Sequence, residues 1–566
     1  MASPNFALTM HDIIHAGLED MDDTVAAMDS LVDSGLDAVR IHPLLNALSH
    51  ACDPNTALHT LVTLVGAWHR DGDDLMPALS DGRAMNRLIA VLGGSEAMGT
   101  LMRSRPDLVT AATFDPLATG AYDRGARRRC MLAAIGANPD DPMPRSTQPL
   151  AQATSSLRRC YYTQLAAIMA EDLTHADPMG AQPEISGKLS DLADGALEGA
   201  LAIARHEVEY DDGCRFTVIA MGKLGARELN YVSDVDLIYV VEPANPEDEN
   251  ELGRLTRVGT VLATTMQRVC QSAIAGVGEP TLWQIDGGLR PEGKDGPLVR
   301  RLDAHREYYD RWAQNWEFQA LLKARPAAGD AEIGATYMAM TRPMVWSASH
   351  RENFVNDCQQ MRRRVEDLIP APLRDREVKL GKGGLRDVEF TVQMLQLVHG
   401  RTDTNLRCSD TLTGLRVLSQ GGYISRNQAA RLALDYRFER VIEHRQQMWG
   451  LKRTHLFPDI AAHDQDSPSR GRERTALELG RNPELRRLAR AFDMRPDQLV
   501  ARFHDVRNEV RRLHMDIYYR PMLPINAQLD DDQVQLSESA MRDRFASIGF
   551  ADPDAAIRHV RALSVG

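Results

Sequence analysis

Aromatic residues are scarce: Phe, Trp and Tyr make up only 5% of the 566 residues, while Ala, Leu, Arg and Glu are plentiful. That balance favours helices over sheets. Long apolar runs are missing too. No uncharged stretch approaches the about 20 residues that cross a bilayer, and the start, MASPNFALTMHDIIHAGLEDMDD, meets acid where a secretory signal would be basic and then apolar. A cytoplasmic protein without a membrane partner is expected. Cysteine offers no paired motif: Cys52, Cys130, Cys160, Cys214, Cys270, Cys358 and Cys408 are odd in number and far apart, without the CxxC of zinc or redox sites, and read as reduced core residues. Positive charge is outweighed, with 66 Lys and Arg against 79 Asp and Glu and a net charge of −13, which weighs against a general nucleic-acid binder. The 43% hydrophobic and 26% charged residues are those of ordinary folded protein, so wholesale disorder is excluded.

Along the chain, the first 135 residues read as a helical domain. Met85, Leu88, Ile89, Leu92 and Met98 recur at near-helical spacing around a Gly93-Gly94 interruption. Residues 136–156, rich in Pro, Ser and Asp, read as a surface linker, with a helix following from Leu157. From Leu189 to Ala204 the apolar positions mark another helix, and then the period changes. Arg215–Met221, Asp234–Val241 and Thr281–Asp286 are short and bounded by turn residues, as strands are, with a long amphipathic helix (Leu252 to Val269) between the second and third. Beyond Leu298 helices return, at His305–Ala324, Asn353–Leu368, Leu385–Val398, Gln428–Trp449 and Pro496–Tyr519; residues 463–475 read as a polar loop. The expected fold class is α+β and predominantly helical, with a small mixed β-sheet core between helical domains. The expected divisions are 1–135 helical, 136–156 linker, 157–345 catalytic, 346–530 helical bundle, and 531–566 the start of a further linker.

The stretch Ile219-Ala-Met-Gly-Lys-Leu-Gly-Ala-Arg-Glu-Leu-Asn-Tyr-Val-Ser-Asp-Val-Asp-Leu-Ile-Tyr239 carries the chemistry. A strand ends at Gly222, where the missing Cβ lets backbone N–H groups approach an anion, and Lys223 and Arg227 stand beside that turn. Asp234 and Asp236 are two residues apart at the start of the next strand, so their side chains leave the same face. Two such carboxylates repel unless a cation lies between them. Hard oxygen ligands beside phosphate suit Mg2+, and a pair of ions about 3.5 to 4 Å apart polarises both oxygens of an in-line displacement. A third carboxylate is then required on a neighbouring strand; Asp286 is the candidate, with Arg290 just after it.

Gly222 with Asp234-Val-Asp236 and Asp286 resembles the nucleotidyltransferase superfamily to which DNA polymerase β belongs. It departs at Lys223, where members usually carry Gly or Ser. The fuller string Met221 to Asp236 is similar to a narrower family, the bifunctional glutamine synthetase adenylyltransferase/adenylyl-removing enzymes. Three further blocks resemble it in order: Leu289-Arg-Pro-Glu-Gly-Lys-Asp-Gly-Pro-Leu298, Trp312 to Pro326, and Lys379-Leu-Gly-Lys-Gly-Gly-Leu-Arg-Asp-Val-Glu-Phe390. Gly288 stands where the family often has Arg. Family members typically hold two nucleotidyltransferase units in tandem and one is found here, so a fragment or a separately encoded N-terminal half is expected.

The resemblance implies a Mg2+-dependent enzyme, with two ions on Asp234, Asp236 and Asp286. Nucleotide and phosphate contacts are implied at Gly222, Lys223, Gly225, Arg227, Ser233, Arg290, Lys323, Arg325, Lys382 and Arg386. The activity implied is removal of AMP from a tyrosine of adenylylated glutamine synthetase by inorganic phosphate, giving ADP; the nitrogen-signalling PII protein is a possible further partner. Addition of AMP from ATP, or docking without turnover, are the alternatives. Trp312, Trp316 and Phe318 read as core rather than as a platform for a base, and His463-Asp464 lacks the further residues of an HD-type hydrolase. The Lys379–Arg386 segment reads as a glycine-rich entry to a helix whose N-terminal end suits an anion.

Overall fold

The computed structural model describes residues 8–71, 75–114, 123–208, 213–460 and 476–519, with six further positions between 542 and 558. His463-Asp464, the 463–475 loop and almost all of 531–566 lie outside the described residues. The chain forms two compact units, each assembled from separate stretches: Met1–Arg301, Pro326–Gly334 and Val441–Arg502 make the first, and Leu302–Arg325, Ala335–Arg440 and Phe503–Gly566 the second. The fold is α+β and predominantly helical, with one small mixed sheet, as expected. Among the described residues no helix is long and apolar enough to cross a membrane.

Apart from Arg325 at the start of its last strand, the sheet belongs to the first unit. β1 (Cys214–Ala220) runs antiparallel to β2 (Val235–Pro243), from Cys214 opposite Pro243 to Ala220 opposite Leu237. On its other edge β2 takes two short parallel strands in succession, β3 (Ile285–Asp286) beside Val235 and Asp236, then β4 (Val299–Arg300) beside Tyr239 and Val240. β5 (Arg325–Gly329) completes the order β3-β2-β1-β5 at the far edge. Val218, Val240 and Val241 are fully buried, each contributing about 1.5–3 kcal/mol of apolar burial. The helix Glu249–Gln271 lies close on β2 because Gly259 leaves room for Val241; a Cβ there would stand 2.6 Å from a Val241 methyl.

Several expectations needed correction. The strand over Thr281–Asp286 shrinks to two residues: Leu282 donates to the Cys270 carbonyl at the end of the Glu249–Gln271 helix, 2.8 Å, and only Ile285 and Asp286 reach β2. Within residues 137–149 more than half of the positions are exposed, while Ser146 is buried with its N–H on the Ala202 carbonyl, 2.9 Å, and the next helix begins at Leu150. The Gly93-Gly94 interruption is real: one helix spans Gly82–Gly94, and Ser95 caps the next, Glu96–Met102.

In the second unit, the expected helices appear as Phe354–Asp367 and Leu385–His399. The long helix expected over His305–Ala324 is broken into Leu302–Arg311 and Asn315–Leu321, the latter started by a capping box between Gln314 and Glu317. That break turns Trp312 outward, 68% exposed, against the expectation of a core position; Phe318 is buried and Trp316 half-buried. The helices Ala331–Ser347 and Thr411–Gln420 were not anticipated.

Within this unit the His514 imidazole is fully buried, its Nδ1 2.8 Å from the Thr391 hydroxyl and its ring stacked on Tyr518 at 4.6 Å. Burial pushes its pKa down to about 4; Asp387 opposes this, and the Arg362 and Arg511 guanidiniums reinforce it. An unfolded imidazole titrates near 6.5, so between these values the unfolded chain binds more protons. Stability is therefore fully present above pH 6.5 and declines as pH falls toward 4, by on the order of 3 kcal/mol. His514→Gln is expected to flatten that slope in denaturant unfolding curves recorded between pH 7 and 4.5; an unchanged slope would show the histidine already protonated in the folded state.

Candidate active site

β1 delivers the chain into a turn whose first residue, Gly222, has φ +54°. Glycine is required there twice over: the left-handed conformation disfavours a side chain, and a Cβ would collide with the Asp236 carboxylate. The space left by that missing Cβ is a cradle for Asp236, whose own carbonyl accepts the Met221 N–H at 2.9 Å. The turn continues as four helical residues, Gly222–Gly225, in which the Gly225 N–H donates back to Met221, 2.9 Å, and is thereby satisfied within the turn.

Asp236 and Asp286 are direct partners in the parallel β2–β3 register. Asp234, two residues earlier, leaves the same side of the chain; Asp234 and Asp236 are half-buried and Asp286 is exposed, its Oδ1 accepting the Gly288 N–H at 2.7 Å. Asp234 is ion-paired with Arg453. Among the described residues no three His, Cys, Asp or Glu side chains enclose a common point tightly enough to hold a metal ion. The donor chemistry of the three nevertheless suits a hard divalent cation: all are carboxylate oxygens, and Asp236 and Asp286 stand side by side on neighbouring strands. The Arg453 guanidinium supplies the positive charge at Asp234.

The cations expected to meet phosphate have protein partners. Lys223 is buried and its Nζ donates to both oxygens of Glu443, at 2.8 and 2.7 Å; Glu443 also meets His455 Nδ1 at 3.0 Å. Arg227, at φ +59°, is bidentate to Asp191, 2.6 and 3.0 Å, an arrangement that holds its pKa above the usual guanidinium value through those hydrogen bonds, against burial. Arg290 donates to the carbonyls of Gly287 (2.7 Å), Gly296 (3.1 and 3.2 Å) and Lys294 (3.1 Å). It thus braces the excursion that lets β3 and β4 share one edge of β2. Ser233 is buried just before Asp234.

Lys323, Arg325, Lys382 and Arg386 belong to the second unit. Lys323 is buried and Arg325 half-buried. The anion expected at the start of the Leu385–His399 helix is the chain's own: the Asp387 carboxylate, fully buried, accepts the Gly383 N–H at 2.8 Å and the Arg362 Nε–H at 2.8 Å. Lys382 pairs with Glu366 at 3.3 Å and Arg386 with Glu389 at 3.0 Å. Lys382 and Arg386 of that segment thus face carboxylates of the fold.

Glu443, Gln447, Arg453 and His455 were not singled out from the sequence. Glu443 holds Lys223, Gln447 accepts from Asn230 Nδ2 (2.8 Å) and the Val232 N–H (3.0 Å), and Arg453 holds Asp234, so one segment some 200 residues downstream grips the whole turn. Only the crowding of charged and amide residues in Glu443-His-Arg-Gln-Gln447, on a helix that must also bury an apolar face, could have signalled it. Lys223→Met leaves Glu443 buried without its ammonium partner and is expected to destabilise the first unit by about 3–5 kcal/mol, most of it recovered in Lys223→Met/Glu443→Met. Urea unfolding of the two variants measures this; a single variant as stable as the parent would show that Lys223 serves something other than Glu443.

Comparison with known proteins agrees with this geometry. Residues 85–340 match the family model described as glutamate-ammonia ligase adenylyltransferase, and residues 357–518 that described as GlnD PII-uridylyltransferase. The chain is 59% identical over 567 residues to the bifunctional glutamine synthetase adenylyltransferase/adenylyl-removing enzyme of Bifidobacterium longum (strain DJO10A), covering 100% of this chain and 52% of that protein. The proteins of the same name from Cutibacterium acnes and Streptomyces coelicolor are 40% and 42% identical, covering 98% and 96% of this chain and 53% and 51% of theirs. The chain thus spans about half the length of these curated relatives, and it belongs to the family of bifunctional glutamine synthetase adenylyltransferase/adenylyl-removing enzymes.

Proposed function

We propose that this chain is a nucleotidyltransferase acting in the adenylyl-removing direction: inorganic phosphate displaces the tyrosine of AMP-O-tyrosine on glutamine synthetase, giving ADP and the unmodified enzyme. The observation that carries the reading is the in-register pair Asp236–Asp286 with the Gly222 cradle beside it. Its direction rests on the resemblance of the four sequence blocks to the adenylyl-removing half. In the reaction a phosphate oxygen bonds to the α-phosphorus, the bond from phosphorus to the tyrosine oxygen breaks, and the tyrosinate takes up a proton. Phosphate is already anionic at neutral pH, so the difficulty is charge rather than deprotonation. A divalent cation, Mg2+ in this proposal and two ions by the resemblance, supplies charge neutralisation when held by Asp234, Asp236 and Asp286.

The remaining residues position. Asp234 would have to leave Arg453 to hold a cation, and the guanidinium would then stand beside the site to meet phosphate oxygens. Lys223, held by Glu443, fixes the turn that opens the cradle, and Arg290 fixes the loop that carries Asp286. Lys323, Arg325, Lys382 and Arg386 remain proposed phosphate contacts by resemblance alone. Acting on glutamine synthetase, the chain would work in the cytoplasm in the control of nitrogen assimilation. The name of the second matched family model motivates the PII signalling protein as a partner.

Incubating the purified chain with adenylylated glutamine synthetase, phosphate and Mg2+ is expected to release ADP, resolved by chromatography, and none without phosphate. Asp236→Asn and Asp286→Asn should each lower the rate at least about a hundredfold. Release of AMP would make the chain a hydrolase, and ATP-dependent labelling of unmodified glutamine synthetase would reverse the direction. Equal rates in parent and variants would remove the carboxylates from the chemistry.

A further inference from the structure

Far in sequence from the carboxylates, two of the seven cysteines meet. Cys130 on the helix Arg124–Ala134 and Cys160 on the helix Leu150–Thr174 have their sulfurs 3.3 Å apart. This departs from the reading of all seven as isolated core residues: Cys214, Cys270 and Cys358 are buried, but Cys130 is exposed and Cys160 half-buried. The thirty-residue separation contains no motif, and the contact exists because the two helices pack side by side.

We propose that Cys130 and Cys160 form a peroxide-reactive thiol pair that closes to a reversible disulfide. Three features of the geometry carry this. The two sulfurs are at van der Waals contact or closer, so bond formation needs only a small side-chain adjustment rather than movement of a helix. Cys130 is open to solvent and to a small oxidant, whereas Cys160 is shielded, which divides the roles into attacking and resolving thiol. Finally, Cys160 is oriented by its surroundings: Gln164 Nε2 donates to its sulfur at 3.3 Å, and Gln164 Oε1 accepts from Arg127 Nη1 at 3.2 Å, which holds the Cys160 sulfur beside Cys130.

The electrostatics agree. The hydrogen bond from Cys160 lowers the Cys130 thiol to about 7; burial opposes this and the Arg127 charge adds to it. The same contact, with burial, raises Cys160. The contact thus favours the thiolate of Cys130, the form that reacts. The Cys130 thiolate attacks one oxygen of hydrogen peroxide, the O–O bond breaks, and hydroxide leaves, giving the sulfenic acid. Cys160 sulfur then displaces the sulfenic oxygen, which departs as water with the Cys160 proton, and the S–S bond forms. Two electrons pass from the two thiols to one peroxide, and a dithiol reductant reverses the result.

The test is to treat the whole chain with a small excess of hydrogen peroxide and map disulfides by mass spectrometry under non-reducing conditions. Expected are a cross-linked Cys130–Cys160 peptide, a fall in denatured thiols from seven to five, and full reversal by dithiothreitol. Cys160→Ser should instead trap a Cys130 sulfenic acid that dimedone labels, and its Cys130 should alkylate with a pH midpoint moved up from about 7. Cys130→Ser should leave Cys160 unoxidised at the same dose. Because serine is close in size at these partly exposed positions, circular dichroism melts of both variants are expected to overlay the parent. The proposal is overturned if the first disulfide joins other cysteines, if Cys130 proceeds to sulfinic acid without the cross-link, or if both thiols remain freely alkylatable.

Discussion

A buried ion pair, Lys223 to Glu443, underlies the site. Neither group would be tolerated alone in an interior where Glu443 is fully enclosed and Lys223 nearly so. Together they tie the turn after β1 to a segment more than 200 residues downstream, and Gln447 and Arg453 extend the same grip to Asn230, Val232 and Asp234. A glycine-rich turn is by nature free to sample many conformations. Here its conformation is dictated from outside by charge pairing, and that is what keeps Gly222 pressed against Asp236.

The second constraint is strand register. β3 is only two residues long, yet its parallel pairing sets Asp286 opposite Asp236 rather than one place along, where the carboxylate would face away. So short a strand cannot hold its own register through hydrogen bonds alone. Arg290, gathering three carbonyls of the loop that follows, and Gln271, whose side chain accepts the Ile285 N–H at 2.8 Å, supply what the strand lacks. Lys223 and Arg290, which look from sequence like phosphate ligands, thus also hold the segments that carry the carboxylates.

Much of this was legible in advance. The run Arg215–Met221, the Asp234-Val-Asp236 pair and the amphipathic helix before Asp286 carry periods that belong to strands and helices, and the structure orders them as expected. β5 was missed because Arg-Pro-Ala-Ala-Gly has no β-branched residue and carries a proline at its second position, tolerable only at the sheet edge it occupies. The split at Trp312–Gln314 carries neither glycine nor proline, so its capping box by Gln314 and Glu317 shows only in three dimensions. The partners of Lys223, Arg227 and Asp387 were illegible for a different reason. A cation beside a glycine turn has the same spelling whether it awaits a phosphate or already holds a carboxylate, and only tertiary contacts tell these apart.

In the proposed reading Asp236 and Asp286 share a divalent cation, and Asp234 would leave Arg453 to join them. Titrating the chain with Mn2+ and following free ion by electron paramagnetic resonance reads this directly, without substrate or turnover. Saturable binding is predicted, weakened at least about tenfold in Asp236→Asn and in Asp286→Asn and tightened in Arg453→Ala. Binding of equal strength in all four proteins would place the metal elsewhere and contradict the account.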